Sequence, residues 1–229
     1  MASLQPKWLA FDVYATLVNR EDGGVKAFAG ILRKHGSTLS PAEVFQEWHR
    51  ATIRTYRSRF MKYRKAALRG LLEIYSRYGI QGEPGEDLLS LFNSIETWKR
   101  FPDVKPVLSR LAERFRLAAV TNMDTNLFER TRIGVMFDVV VTSEMARAYK
   151  PHPRIYRYSL MRMGCKAREA LFVGTTPWAD IVGAKLSGLR VVWINRRSPS
   201  CFEGQLLDSW TPRPDYEFKD LYGLLSLLM

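Results

Sequence analysis

Cysteine is scarce. The 229 residues hold two, Cys165 and Cys201, far apart and without a CxxC pair, so no cysteine-built zinc or iron–sulfur centre is suggested. So few thiols fit a reducing, cytosolic setting. No apolar run approaches the length of a membrane span. The opening MASLQPKWLAF lacks the apolar stretch of a secretory leader. The reading is a soluble, cytoplasmic chain with no membrane partner. Acids are in deficit, 23 Asp and Glu against 35 Lys and Arg, for a formal charge of +12. A surface of that sign steers anions toward it. No zinc-finger or RNP-type motif accompanies the charge, so nucleic acid is set aside and a small anionic substrate is expected. Internal repeats and low-complexity tracts are also lacking.

Apolar residues make up 46% of the chain, enough for one large domain or for a core with a smaller insert. The organising stretch is Lys7 to Val18, KWLAFDVYATLV. Trp8 to Phe11 is continuously apolar, the pattern of a strand buried on both faces, and it ends in Asp12. From Val25 to about Lys99 only helical patterns appear. Gly23-Gly24 reads as a break that allows a hinge. A helix follows over residues 25–35. Ser40 is a plausible N-cap with Pro41 at N1 and Glu43 at N3, and Phe45, Trp48 and Thr52 form the apolar side of the helix it opens, continued by Ile53, Tyr56, Phe60 and Met61. A third run covers 66–78 with Leu68, Leu71, Leu72 and Tyr75 inward. A fourth covers 86–97 with Leu88, Leu89, Phe92 and Ile95 inward. Four helices and no strand make a small bundle. Residues 50–69 are dense in cations, among them Arg50, Arg54 and Arg57. Most read as a solvated face, with one arginine suited to a bidentate grip on a substrate carboxylate.

From Pro102 the chain alternates helix and strand. Leu117–Val120 is a short strand ending in Thr121-Asn122. Phe137–Val141 is another, followed by Tyr149-Lys150-Pro151-His152-Pro153, where two prolines hold the lysine in a loop. A helix spans 153–163. Ala170–Val173 is a strand running into Gly174-Thr175-Thr176-Pro177-Trp178-Ala179-Asp180, then a helix over 178–187 and a strand over 189–194. Residues 197–215 read as an irregular surface segment and 218–229 as a short terminal helix. Alternation of this kind predicts parallel strands joined by crossovers. Polar groups close four successive strands: Asp12 and Thr16, Thr121 and Asn122, Lys150, and Thr175, Thr176 and Asp180. In a doubly wound sheet these ends share one face, where such folds bind ligands.

The cluster has a chemistry. Asp12 is the candidate covalent nucleophile. Lys150 would hold it and offset charge as anions gather. Thr16, Thr121 and Asn122 supply hydrogen bonds, and Asp180 orients Lys150 or activates water. Tyr14 is a bulky neutral ring where a second acid would serve proton donation to a leaving alcohol.

These residues resemble the motifs of the haloacid dehalogenase superfamily over almost the whole chain: Asp12 to Thr16, Thr121-Asn122, Lys150, and Gly174 to Asp180. The resemblance implies an α/β fold, a Rossmann-like doubly wound parallel sheet core (residues 1–20 plus 98–229) with a helical cap inserted after the first strand (21–97). Most members of that superfamily are magnesium-dependent phosphatases with an Asp-x-Asp first motif and further acids in the fourth. Here Tyr14 and Thr175 stand in those places. The sequence is more similar to the (S)-2-haloacid dehalogenase branch, which uses Asp-x-Tyr-x-Thr and no metal. YKPHPRIY resembles its lysine segment, and VVWINRR its Cys-Trp-Ile-Asn-Arg stretch. That resemblance implies hydrolysis of carbon–halogen bonds without a cofactor. Its substrate-binding residues would be Tyr14, Arg50, Tyr156, Thr175, Thr176 and Trp178, and a homodimer is common in the branch. The alternatives are a magnesium-dependent small-molecule phosphatase of the same superfamily, a diverged hydrolase of unknown substrate and, last, a basic interaction module. The fourth motif departs from the branch: Gly-Thr-Thr-Pro replaces Ser-Ser-Asn-Ala, and Ala179 is inserted before the acid. Ala15 stands where the branch often has glycine.

Overall fold

A computed structural model describes residues 6–196 and 212–229. Most of the segment expected to be irregular, residues 197–211, lies outside the described residues, as does Cys201. The described chain forms two compact units. One draws on Met1–Asn19, Arg100–Asn122 and Ile133–Met229, the other on Arg20–Lys99 and Met123–Arg132.

The first unit is built on a six-stranded sheet. Its strands are β1 (Trp8–Phe11), β2 (Arg116–Thr121), β3 (Val139–Thr142), β4 (Ala170–Gly174), β5 (Arg190–Ile194) and β6 (Tyr216–Phe218), all parallel, in the order β3-β2-β1-β4-β5-β6. Connections from β1 run first to one side and then, at β4, to the other, so the sheet reverses direction between β1 and β4. That is the switch point of a doubly wound fold, where the carboxyl ends of neighbouring strands leave a crevice. Alternate residues explain the unbroken apolar runs. Trp8 and Ala10 pack on one side with Val120, Phe172, Val191, Ile155 and Tyr156, while Leu9 and Phe11 point the other way and are equally buried. β6 was not foreseen. Three residues at the edge carry almost no periodic signal, and what holds them is the backbone ladder to β5.

The second unit contains α1 (Arg20–Lys34), α2 (Pro41–Ser58), α3 (Tyr63–Tyr78) and α4 (Pro84–Ser94), continued by a 3₁₀ turn over Ile95–Thr97. The Ser40 cap is as expected: its hydroxyl accepts from the Glu43 amide at 3.4 Å, with Pro41 opening α2. Gly79 ends α3 in the left-handed conformation, φ 63°, where a side chain is disfavoured.

Three expectations for this unit are corrected. Gly23-Gly24 is no break, since both lie inside α1. A Cβ on Gly23 would run into the Trp98 ring, and one on Gly24 into the Phe45 ring; the glycines let bulky rings approach the helix. Leu72 and Leu89 are half exposed, at 50% and 58%, because the buried stripe is narrower than their spacing suggests. And residues 123–132, which hold the short helix α6 (Thr125–Glu129; α5 is Val104–Leu111), group with the helices rather than with the sheet. Asp124 supplies the reason. Its two carboxylate oxygens accept the Tyr63 and Arg64 amides at 2.8 and 2.9 Å, capping the first turn of α3, where a negative charge meets the positive end of the helix dipole.

Candidate active site

The loop after β1 sets the first acid. The Asp12 amide donates to the Val173 carbonyl at 2.9 Å, continuing the β1–β4 ladder by one residue. The chain then turns sharply: Leu17 and Val18 amides both donate to the Val13 carbonyl, and Ala15 takes a left-handed φ of 76°. This turn brings Thr16 back onto Asp12. Its hydroxyl donates to Asp12 Oδ2 at 2.7 Å and lies 3.0 Å from Thr175 Oγ1. A threonine has one hydroxyl proton. With that proton on Asp12, Thr16 accepts from Thr175, giving a chain Thr175 to Thr16 to Asp12.

Lys150 lies in the turn between the short helix α7 (Ser143–Ala146) and α8 (Pro153–Met163). Its ammonium is 2.6 Å from Asp12 Oδ1 and 2.7 Å from Asp180 Oδ1, with the lysine 2% exposed. Asn122 gives its hydrogen bonds to the backbone of Lys150. It holds the lysine's backbone, with its amide donating to the Lys150 carbonyl at 3.2 Å and its oxygen accepting the Lys150 amide at 2.7 Å. It therefore sets where Lys150 emerges, across 28 residues, which no local pattern announces.

Asp180 follows β4 in a widened turn. Residues Pro177–Ile181 form one turn of π-helix, which passes into α9 (Val182–Leu186). A π turn holds one residue more than an α turn, which accounts for Ala179 fitting ahead of the acid. The buried Tyr156 hydroxyl donates to the Ala179 carbonyl at 2.5 Å, so its contact here is with the backbone of this turn. Asp180 Oδ2 accepts the Thr175 and Thr176 amides at 3.1 and 2.9 Å. Gly174 leaves room for it, since a Cβ there would lie 2.5 Å from the Asp180 Cβ. Thr176, Trp178 and Tyr14 are buried in the same unit. Thr121 ends β2, beside β1, and its buried hydroxyl has no hydrogen-bond partner among the described residues. Arg50 lies in the helical unit, 2.8 Å from Glu47.

The charges are unequal: two buried acids share one cation. Burial alone would lower the Lys150 pKa, but Asp12 and then Asp180 outweigh it and raise it above the ordinary lysine value. Asp180 is pushed up to about 7, first by burial and then by the Asp12 charge, with Lys150 and the Thr176 amide pulling against them. A carboxylate so raised can take a proton near neutral pH.

The same arrangement tests the fit of magnesium, which wants octahedral oxygen ligands anchored by carboxylates. The ammonium already bridges the two acids, and their remaining oxygens accept from Thr16 and from two backbone amides. Among the described residues no three His, Cys, Asp or Glu gather as a metal site. Two carboxylates can anchor magnesium with waters, but here the ammonium takes the place between them, so these donors fit the ion poorly.

A buried acid on the loop at the switch point, a lysine between two acids and a helical insert after β1 together define a hydrolase with a Rossmann-like core. The chain belongs to the haloacid dehalogenase-like hydrolases, whose profile matches residues 9–194. It is 29% identical to haloacetate dehalogenase H-2 of Moraxella sp. (strain B), over 96% of each chain. It is 26% identical to the pyrimidine 5'-nucleotidase YjjG of Escherichia coli (strain K12), over 93% of this chain and 96% of that one. The solved L-2-haloacid dehalogenase from Xanthobacter autotrophicus superposes with a TM-score of 0.83 at 20% identity, covering 97% of this chain and 98% of that one, a likeness of fold. Among the described residues no helix is long and apolar enough to cross a membrane.

Proposed function

We propose that the protein is a 2-haloacid dehalogenase of the (S)-specific branch, converting (S)-2-haloalkanoates to (R)-2-hydroxyalkanoates without a metal. One observation carries the reading: the Lys150 ammonium bridges Asp12 and Asp180, while the positions that bear further acids in the phosphatases hold the neutral Tyr14 and Thr175. A cation already built into the protein can gather the substrate's charge. No proton donor is required, because halide leaves as a stable anion.

In the first step an Asp12 oxygen attacks carbon 2. The carbon–halogen bond breaks with its electron pair on the halide, and carbon 2 inverts. The product is an ester of Asp12. The Thr121 hydroxyl, buried without a partner among the described residues, and backbone amides after Asp12 are the groups suited to the substrate carboxylate. In the second step water attacks the Asp12 carboxyl carbon and gives a proton to Asp180. The bond from that carbon to the ester oxygen breaks, the alkoxide takes the second proton of the attacking water, and the hydroxy acid leaves. Asp12 returns as a carboxylate carrying one oxygen from water, and one proton is released overall.

The test is halide release from (S)-2-chloropropionate with and without chelator, in the wild type and in Asp12→Asn, followed by a single turnover in heavy-oxygen water. Chelator-resistant release, abolished in Asp12→Asn and leaving label in Asp12, is expected. Label appearing directly in product would remove the covalent step. Magnesium-dependent phosphate release from a small phosphate ester, with no halide release, would replace the reading by the phosphatase alternative.

A further inference from the structure

We infer that Arg196, beyond the end of β5, is a positioning residue for the Asp12 nucleophile and acts through Thr16. The inference rests on the proposed reaction for its consequence in turnover, and on geometry alone for the positioning.

The Arg196 guanidinium is held on three sides. A terminal nitrogen lies 3.0 and 2.8 Å from the two oxygens of Asp103. Its carbon stands 4.0 Å from the centre of the Phe101 ring. Its Nε donates to the Thr16 carbonyl at 2.9 Å. A planar fork fixed by an ion pair and an aromatic face has little freedom left, so the third bond is aimed. The anchors are themselves fixed. Asp103 is buried and also accepts the Leu221 amide, at 2.8 Å, at the start of α10 (Leu221–Leu228). The Phe101 amide donates to the Leu17 carbonyl at 3.0 Å.

The turn that receives this bond needs a hold from outside. Ala15 sits at φ 76°, a conformation that costs an L-residue with a Cβ roughly 1–2 kcal/mol. Strain of this kind persists only where neighbours over-determine the backbone. Thr16 is the residue after it, and its side chain and carbonyl serve opposite ends: the hydroxyl faces Asp12 and the carbonyl faces Arg196. A second donor from β5 does the same for the neighbouring loop. The Trp193 indole donates to the Thr175 carbonyl at 2.9 Å, and the Thr175 hydroxyl meets that of Thr16. β5 thus grips both carbonyls behind the Thr175–Thr16–Asp12 chain. With Arg196 lost, the turn is free to relax, and Asp12 loses the bond that orients Oδ2 for attack. A misplacement near 1 Å at a reacting atom costs on the order of 100-fold in rate.

The experiment is a double-mutant cycle on the full-length enzyme with Arg196→Lys and Thr16→Val, read as halide release per folded molecule. Arg196→Lys retains a cation for Asp103 but cannot make both bonds at once. It is expected to lower kcat roughly 10- to 100-fold while KM stays within about threefold. In the Thr16→Val background, the same change should cost less than about twofold, because the hydroxyl it positions is gone. Thr16→Ser keeps the hydroxyl and should keep the full sensitivity. An unchanged kcat for Arg196→Lys, or effects that simply multiply, would overturn the inference. A second readout needs no substrate. In protein labelled with carboxyl-¹³C aspartate, with Asp12 assigned through Asp12→Asn, Arg196→Lys should move the Asp12 resonance in the wild-type background and leave it in place in Thr16→Val. A resonance unmoved in the wild-type background overturns the positioning. Absence of halide release from the wild type, with this resonance shift present, overturns the dehalogenase reading and leaves the positioning standing.

Discussion

Lys150→Met exposes the central electrostatic balance. Methionine keeps the length of the side chain and removes its charge. The ammonium now sits 2.6 and 2.7 Å from two carboxylates that are 8% and 1% exposed. At an effective dielectric near 20, each contact is worth about 6 kcal/mol of gross attraction, most of it spent on taking three charges out of water. What the variant reveals is the cost of two acids left without a cation. For a broken buried pair that cost is about 3–5 kcal/mol. It must depend on pH, and the sign is fixed. Burial and the Asp12 charge push the Asp180 carboxyl up to about 7, so ionising it costs the fold stability as pH rises from the ordinary carboxylate value toward the raised one. Without Lys150 the folded-state pKa climbs further, and each further unit adds about 1.4 kcal/mol to that cost. The wild-type lysine, its pKa raised, stays charged throughout. Urea unfolding followed by far-ultraviolet circular dichroism at pH 5 and pH 8 measures the difference. The variant should be about 3–5 kcal/mol less stable at pH 8, and the gap should narrow by roughly 1–2 kcal/mol at pH 5. A loss below about 1 kcal/mol at pH 8, or a gap that widens on acidification, refutes the reasoning.

Other consequences follow from the same geometry. If Asp180 is the base, kcat/KM should rise about tenfold per unit of pH up to about 7 and then level off; a profile already flat at pH 5 assigns the base elsewhere. Gly174→Ala places a methyl 2.5 Å from the Asp180 Cβ, so it should cost about 1–3 kcal/mol in thermal or urea melts and displace the acid from Lys150; a variant as stable and active as wild type would contradict the packing. Ala15→Gly removes the left-handed penalty at the nucleophile turn but adds unfolded-state entropy, so stability should change by between zero and about +1 kcal/mol; a clear loss would mean that the turn is not strained. In the helical unit, Asp87 is buried against Lys34, His35 and Tyr75 at 3.0, 2.6 and 2.5 Å. Burial opposes its charge, but bonds from Tyr75, His35 and Lys34 win and lower its pKa. Its contribution is therefore complete above the ordinary value near 4 and lost as pH falls through the lowered one. Melts of Asp87→Asn against wild type should show a gap at pH 7 that closes in strong acid.

What could be read in advance was whatever sequence neighbours impose on each other. The Ser40-Pro41 start of α2 and the apolar run of β1 depend on residues within a few places, and both stand where expected. So does the meeting of Asp12, Lys150 and Asp180, because parallel strands oblige their carboxyl ends to share an edge. The misreadings share the opposite cause. Gly23 and Gly24 look like a break until Trp98 and Phe45 arrive from elsewhere in the chain. Residues 123–132 look like one more crossover until Asp124 is seen capping a helix that begins 61 residues earlier. Asn122 is no misreading, since it does supply hydrogen bonds, but which partner it meets, the Lys150 backbone, is set only by the fold.

That choice bears on how such a site keeps its chemistry. An ammonium between two carboxylates is at risk of being only a buried salt bridge, stable and inert. Here none of the three groups is placed by the ionic contacts alone. Asn122 fixes the lysine's backbone, the Thr175 and Thr176 amides fix Asp180, and Thr16 fixes Asp12. Because hydrogen bonds from outside the ionic triad set the positions, the charges need not collapse further to satisfy one another. Two acids to one cation also leaves the cluster with one negative charge in excess, and burial together with that excess raises the Asp180 pKa. The excess carboxylate is thus held close to protonation.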